Sequence, residues 1–148
     1  MKKIGVMITV LTITLFSAET QKGVEALSGE TRALLSEEMR HLESGMHRVF
    51  TYIIKGEYEE IAKTATDIQN SFILNKSLTG AQRAELQAKI PKAFIELDRT
   101  FHATAGKLAE VAEFEDRKGV EENFARMTEL CVKCHARYAT HRFKLFSE

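Results

Sequence analysis

From residue 31 to residue 54 the apolar positions fall three and four apart: Leu34, Leu35, Met39, Leu42, Met46, Val49, Phe50, Ile53 and Ile54. That spacing predicts one long amphipathic helix over Thr31–Ile54, with Ser28 or Thr31 as its cap, Glu30 in or near the first turn and Gly56 as its stop. A second helix is expected over Glu57–Leu74, with Tyr58, Ile61, Ala65, Ile68 and Phe72 on one face. Asn75–Gly80 reads as a loop, Thr79 as the cap of a short helical stretch over Ala81–Lys89, and Pro91 as a kink or break.

The pattern resumes over Pro91–Glu113, where Phe94, Leu97, Phe101, Ala105, Leu108 and Val111 share a stripe and His102 lies beside it. A charged turn, Glu115–Gly119, leads into a last helix. There Val120, Phe124, Met127, Cys131, Cys134 and Tyr138 recur at steps of four and three, and the helix is expected to reach about Phe143. Four main amphipathic helices with short connections predict an all-α protein, most simply an antiparallel four-helix bundle. One Pro, eight Gly and no Trp agree with helices rather than strands.

Composition changes the picture mainly at the N-terminus. At 148 residues, 28% of them charged and 44% hydrophobic, the chain suits one domain with a real core. Lys2 and Lys3 precede an apolar run over Ile4–Phe16 that is short for a membrane span and reads as an export signal, residues 1–18. Cleavage is expected near residues 17 to 20; an uncleaved membrane anchor is the alternative. Removal of Lys2 and Lys3 with that run lowers Lys plus Arg from 21 to 19, against 21 Asp plus Glu. A near-neutral mature chain, residues 19–148, lacks the clustered basic surplus of a nucleic-acid partner.

Both cysteines of the chain lie in Cys131-Val132-Lys133-Cys134-His135. Cys-x-x-Cys-His is the attachment pattern of a c-type haem. Two residues between the thiols let one helical turn span the two porphyrin vinyl groups, each closed by a thioether, and the next residue turns its imidazole toward the iron. Such haem is attached outside the cytoplasm in bacteria, so the export signal and the motif support each other and point to the periplasm. Other uses stay open: a redox-active pair, which is expected beside a βαβ pattern absent here; a zinc site, for which only His141 follows downstream; and a plain disulfide or buried pair.

With this motif on the core stripe of the fourth helix, the chain resembles the class II c-type cytochromes, the cytochrome c prime family. The resemblance rests on Cys131, Cys134, His135 and Tyr138, the Phe124 and Met127 stripe before them, and a first helix ending Tyr52-Ile53-Ile54-Lys55-Gly56. It implies one haem c per chain, thioethers at Cys131 and Cys134, His135 as an axial iron ligand, and a homodimer contact of the kind family members often have. It departs at Ala139, where members usually carry arginine after the tyrosine. Arg137 or Arg142 could stand in, although basic residues in a last helical turn ordinarily complement the helix dipole.

The family divides by what the first helix offers the other face of the iron. Met39 is the expected second axial ligand. In an antiparallel pair, Met39 after Thr31 and His135 before Phe143 come to similar heights, and Met46 lies two turns deeper. Methionine–histidine ligation implies a single-electron carrier working with redox partner proteins, not an enzyme, with Lys133, Arg137, Arg142 and Lys144 around the haem edge to steer an acidic partner. A vacant position would instead make a five-coordinate protein binding nitric oxide or carbon monoxide, with Leu35, Leu42 and Phe50 as the distal pocket. Peroxide turnover would call on Arg40 and His41, which the helical turn directs away from the face that carries Met39.

Overall fold

The computed structural model describes residues 23–71 and 78–144. The export-signal run, the end of the expected second helix including Phe72, and part of the Asn75–Gly80 loop lie outside these. The described residues form five α-helices, α1 Gly29–Lys55, α2 Tyr58–Asn70, α3 Gly80–Lys89, α4 Lys92–Glu113 and α5 Arg117–Tyr138, preceded by one short 3-10 turn, Val24–Ala26. The helices pack around a shared apolar core. None of them is long and apolar enough to cross a membrane.

Local chemistry sets the boundaries. Ser28 caps α1 by accepting from the Thr31 amide, and Gly56 closes it in the left-handed region at φ 70°, where a glycine pays no Cβ penalty. Thr79 and Gln82 form a reciprocal capping box at the start of α3. The break anticipated at Pro91 is complete: Pro91 is extended and stands as the N-cap of α4. The last helix is shorter than its periodicity suggests. It ends at Tyr138 rather than near Phe143, because the chain turns through Ala139–Arg142 and brings Phe143 back onto His135.

The helix α4 packs broadly on both α2 and α5, and α1 packs on α2, whereas α1 and α5 touch only narrowly. Gly45 allows the close approach of α1 to α2, since a Cβ there would stand 2.9 Å from the Ile68 side chain. The larger core cluster includes Leu42, Val49, Ile61, Phe101, Leu108 and Met127. A second cluster, of Leu27, Leu35, Leu86, Ile90, Phe94 and Tyr138, fills the end where α1 begins and α5 stops. There Glu85 of α3 accepts hydrogen bonds from the Ser28 amide (2.7 Å) and hydroxyl (2.8 Å) and from the Thr31 hydroxyl (2.6 Å), tying α3 to the first turn of α1. At the other end Phe50 of α1 stacks on Phe124 of α5. These contacts make α1 and α5 antiparallel.

Candidate functional site

Cys131, Cys134 and His135 lie in the last two turns of α5, where the helix faces the interior obliquely and leaves all three residues half-buried. Both thiols are free. Burial pushes the Cys131 thiol up, and burial together with the Asp98 carboxylate and Cys131 pushes Cys134 up to about 12. Redox-active cysteine pairs require a depressed pKa, so this environment argues against dithiol–disulfide exchange. Among the described residues no group of three or more His, Cys, Asp or Glu side chains is arranged to hold a metal ion. His141 lies 3.7 Å from Glu25.

The imidazole of His135 stacks on Phe143, with centroids 4.2 Å apart and planes 3° from parallel, and burial with nearby Arg142 keeps it toward the neutral form. One turn past Cys134, Tyr138 meets the Phe94 ring edge-on at 5.4 Å; its buried hydroxyl has no hydrogen-bond partner among the described residues.

Met39 is half-buried and flanks the fully buried line of α1, which runs Thr31, Leu35, Glu38, Leu42, Gly45, Val49. It packs against both core clusters, as Leu97 does, with Cys131 against the larger cluster and Cys134 against the smaller. The Phe50–Phe124 pair supplies the register of α1 against α5. Eleven residues back from Phe50 is Met39, and eleven forward from Phe124 is His135. Eleven helical residues are three turns and about 20°, a rise of roughly 16 Å, so on ideal helix geometry each lies close to the face of its phenylalanine and the two come to similar heights. Met46 lies two turns nearer the ring pair, at the height of Thr128.

One expectation about the neighbouring residues changes. Phe50 is 54% exposed and stacked at the mouth of the α1–α5 seam, so it does not line an interior distal pocket; Leu35 and Leu42 are buried. Arg40 and His41 are exposed, as are Lys133, Arg137, Arg142 and Lys144. Arg40 lines a shallow surface hollow with His47, Arg48 and Tyr52, away from the cysteines.

Three residues that the apolar pattern passed over are the most unusual feature of the interior. Glu38 of α1 is 0% exposed, and Asp98 and His102 of α4 are 9% and 3% exposed. The His102 Nδ1 lies 2.8 Å from the Ile68 carbonyl oxygen, and its Nε2 is 3.7 Å from both a Glu38 and an Asp98 carboxylate oxygen. His102 is therefore a core residue rather than one beside the stripe. The signal was available in the spacing: Glu38 stands three after Leu35 and four before Leu42, and Asp98 stands four after Phe94 and three before Phe101. A polar residue in an apolar register marks a buried polar site, provided the register itself is trusted over residue type.

No protein-family model matches the chain, and no curated protein and no solved structure matches it.

Proposed function

We propose that this is an exported c-type cytochrome of the class II kind, an antiparallel four-helix bundle that carries single electrons in the periplasm. Cys131 and Cys134 would hold one haem c by thioethers, His135 would be one axial ligand and Met39 the other. The observation that supports the reading is the Phe50–Phe124 stack, from which helix geometry puts Met39 and His135 at similar heights across the α1–α5 seam. The donors suit the group: two protonated thiols that can add S–H across vinyls, a neutral imidazole, a thioether, and an orphaned buried phenol beside them for an acceptor oxygen. The narrow contact of α1 with α5 leaves the seam between them to side chains rather than to tight backbone packing.

When bound, the haem supplies a one-electron iron couple, and methionine–histidine ligation raises its potential and closes the iron to small ligands. The chain's own residues would do the rest. The two cysteines, one turn apart, fix the orientation of the porphyrin. His135 would hold the iron in place of its stack on Phe143, and Leu35, Leu42 and Leu97 would exclude water from the interior. Exposed Lys133, Arg137, Arg142 and Lys144 at the same end offer a positive surface to an acidic redox partner.

Absorption spectra of the haem-loaded protein, oxidised and reduced, with and without carbon monoxide, test this on wild type and Met39→Ala. Expected are a weak long-wavelength sulfur-to-iron band in oxidised wild type and a carbon monoxide response only after Met39 is removed. A high-spin wild type that takes up carbon monoxide at once would overturn Met39 ligation and favour gas binding.

A further inference from the structure

Tyr138 ends α5 one turn beyond Cys134 and is 1% exposed. It is surrounded by Leu27, Leu35, Leu86, Ile90 and Phe94, all of them apolar. The N-terminal segment closes over it from outside: a Cβ at Gly23 would stand 2.6 Å from the Tyr138 carbonyl oxygen, an approach that a residue without a side chain permits. The phenolic oxygen is buried and meets no hydrogen-bond partner among the described residues. Burial pushes the phenol up, so at neutral pH it keeps its proton and offers a donor.

Packing does not call for that hydroxyl. The ring meets Phe94 edge-on at 5.4 Å, a contact that phenylalanine would make as well, whereas a hydroxyl taken out of water without a partner weighs against the fold. Its place in the molecule suggests what it serves. Tyr138 and Cys134 are four residues apart on α5 and so share a face of that helix, and Cys134 and Met39 both pack against the cluster to which Tyr138 belongs. The orphaned donor therefore stands in the same packed region as a residue that would anchor the haem and one that would bind its iron. Haem c, with both vinyl groups closed as thioethers, keeps two propionates as the anionic hydrogen-bond acceptors of its rim.

We propose that Tyr138 is a haem-binding residue whose hydroxyl donates a hydrogen bond to a propionate. The inference rests on the haem reading. A hydrogen bond to a charged acceptor is stronger than one between neutral groups, so the hydroxyl that burdens the unloaded fold stabilises the loaded one. The donated hydrogen also offsets part of the propionate's negative charge, which favours the reduced iron. Phenylalanine at this position would keep the ring contact with Phe94 and lose both effects.

The test compares Tyr138→Phe with wild type in urea, unloaded and haem-loaded, and adds the midpoint potential of the loaded proteins. Unloaded, the variant is expected to unfold at the same urea concentration as wild type or a higher one. Loaded, its ratio of unfolded to folded protein is expected to be about tenfold above wild type at a given urea concentration, and its potential is expected to fall. Infrared spectra of wild type labelled with carbon-13 tyrosine decide the matter if the variant does not fold. The phenol C–O stretch of Tyr138 is expected to shift on haem loading, while Tyr52 and Tyr58, at the other end of the bundle, serve as internal controls. A variant that weakens the unloaded chain as much as the loaded one, an unchanged potential, or a Tyr138 stretch that loading does not move would overturn the proposal. A chain that takes up no haem shows it in its absorption spectrum and overturns the haem reading and this inference together; a loaded protein indifferent to Tyr138→Phe overturns this inference alone.

Discussion

Phe50 and Phe124 stack with centroids 6.3 Å apart and planes 29° from parallel, joining two helices that otherwise meet only narrowly. The pair is both a contact and a ruler, since three turns along each helix lead to Met39 and His135. A double-mutant cycle on Phe50→Ala and Phe124→Ala, followed by urea denaturation, is expected to give a coupling of about 0.5–1.5 kcal/mol. Additive effects would mean that the rings do not fix the seam.

The buried Asp98 carboxyl makes a stability prediction with an unusual sign. Its pKa is raised from 3.8 to about 6, so between these values the folded protein binds more protons than the unfolded one. Stability contributed by the protonated group is full below about pH 4 and is lost as pH rises through about 6. Asp98→Asn is expected to be more stable than wild type at pH 7 by about 1–3 kcal/mol, and the difference should shrink toward pH 4. Denaturant midpoints at the two pH values measure it.

Glu85 runs the other way. Hydrogen bonds from Lys89, Thr31 and Ser28 hold its carboxyl down from 4.5 to about 2, so its contribution is present above pH 4.5 and is lost as pH falls through about 2. Glu85→Gln is expected to lower the melting temperature at pH 7 and to converge with wild type in acid. The variant should also fray the first turn of α1, seen as faster amide exchange at Thr31.

The cysteines offer a direct chemical test on the unloaded chain. Because only a thiolate alkylates readily, and Cys134 is pushed up to about 12, iodoacetamide at pH 7 is expected to modify Cys134 at least tenfold more slowly than the same thiol in denaturant. Mass spectrometry of the labelled peptides reads the ratio. Rapid modification of the folded protein would restore the redox-pair reading.

Most of the helices were legible because apolar residues at steps of three and four have few structural solutions. Ser28, Gly56, Thr79 and Pro91 then act as local punctuation whose chemistry does not depend on distant residues. What was not legible depended on the tertiary fold. The early end of α5 reflects Phe143 folding onto His135, a contact made only after the helix has stopped. Phe50 and Ile54 look like core residues by type but lie outside the buried line, while Glu38, Asp98 and His102 look like surface residues and lie within it. At Glu38 and Asp98 residue type and register disagreed, and register was the better guide. Met39 illustrates the middle case: its height could be argued from the sequence, but its place beside rather than on the buried line could not.

The uneven packing of α1 also has a consequence for how the molecule comes apart. With α4 between α2 and α5, these three helices hold most of the interhelical contact, and α1 adheres mainly through α2. Separating α1 from α5 breaks few contacts, so an opening of α1 about its Gly45–Ile68 contact, with α4 the slowest-exchanging element, is the expected result of amide exchange. The same motion opens a seam through which a flat, rigid group could enter the folded chain without dismantling the rest of it.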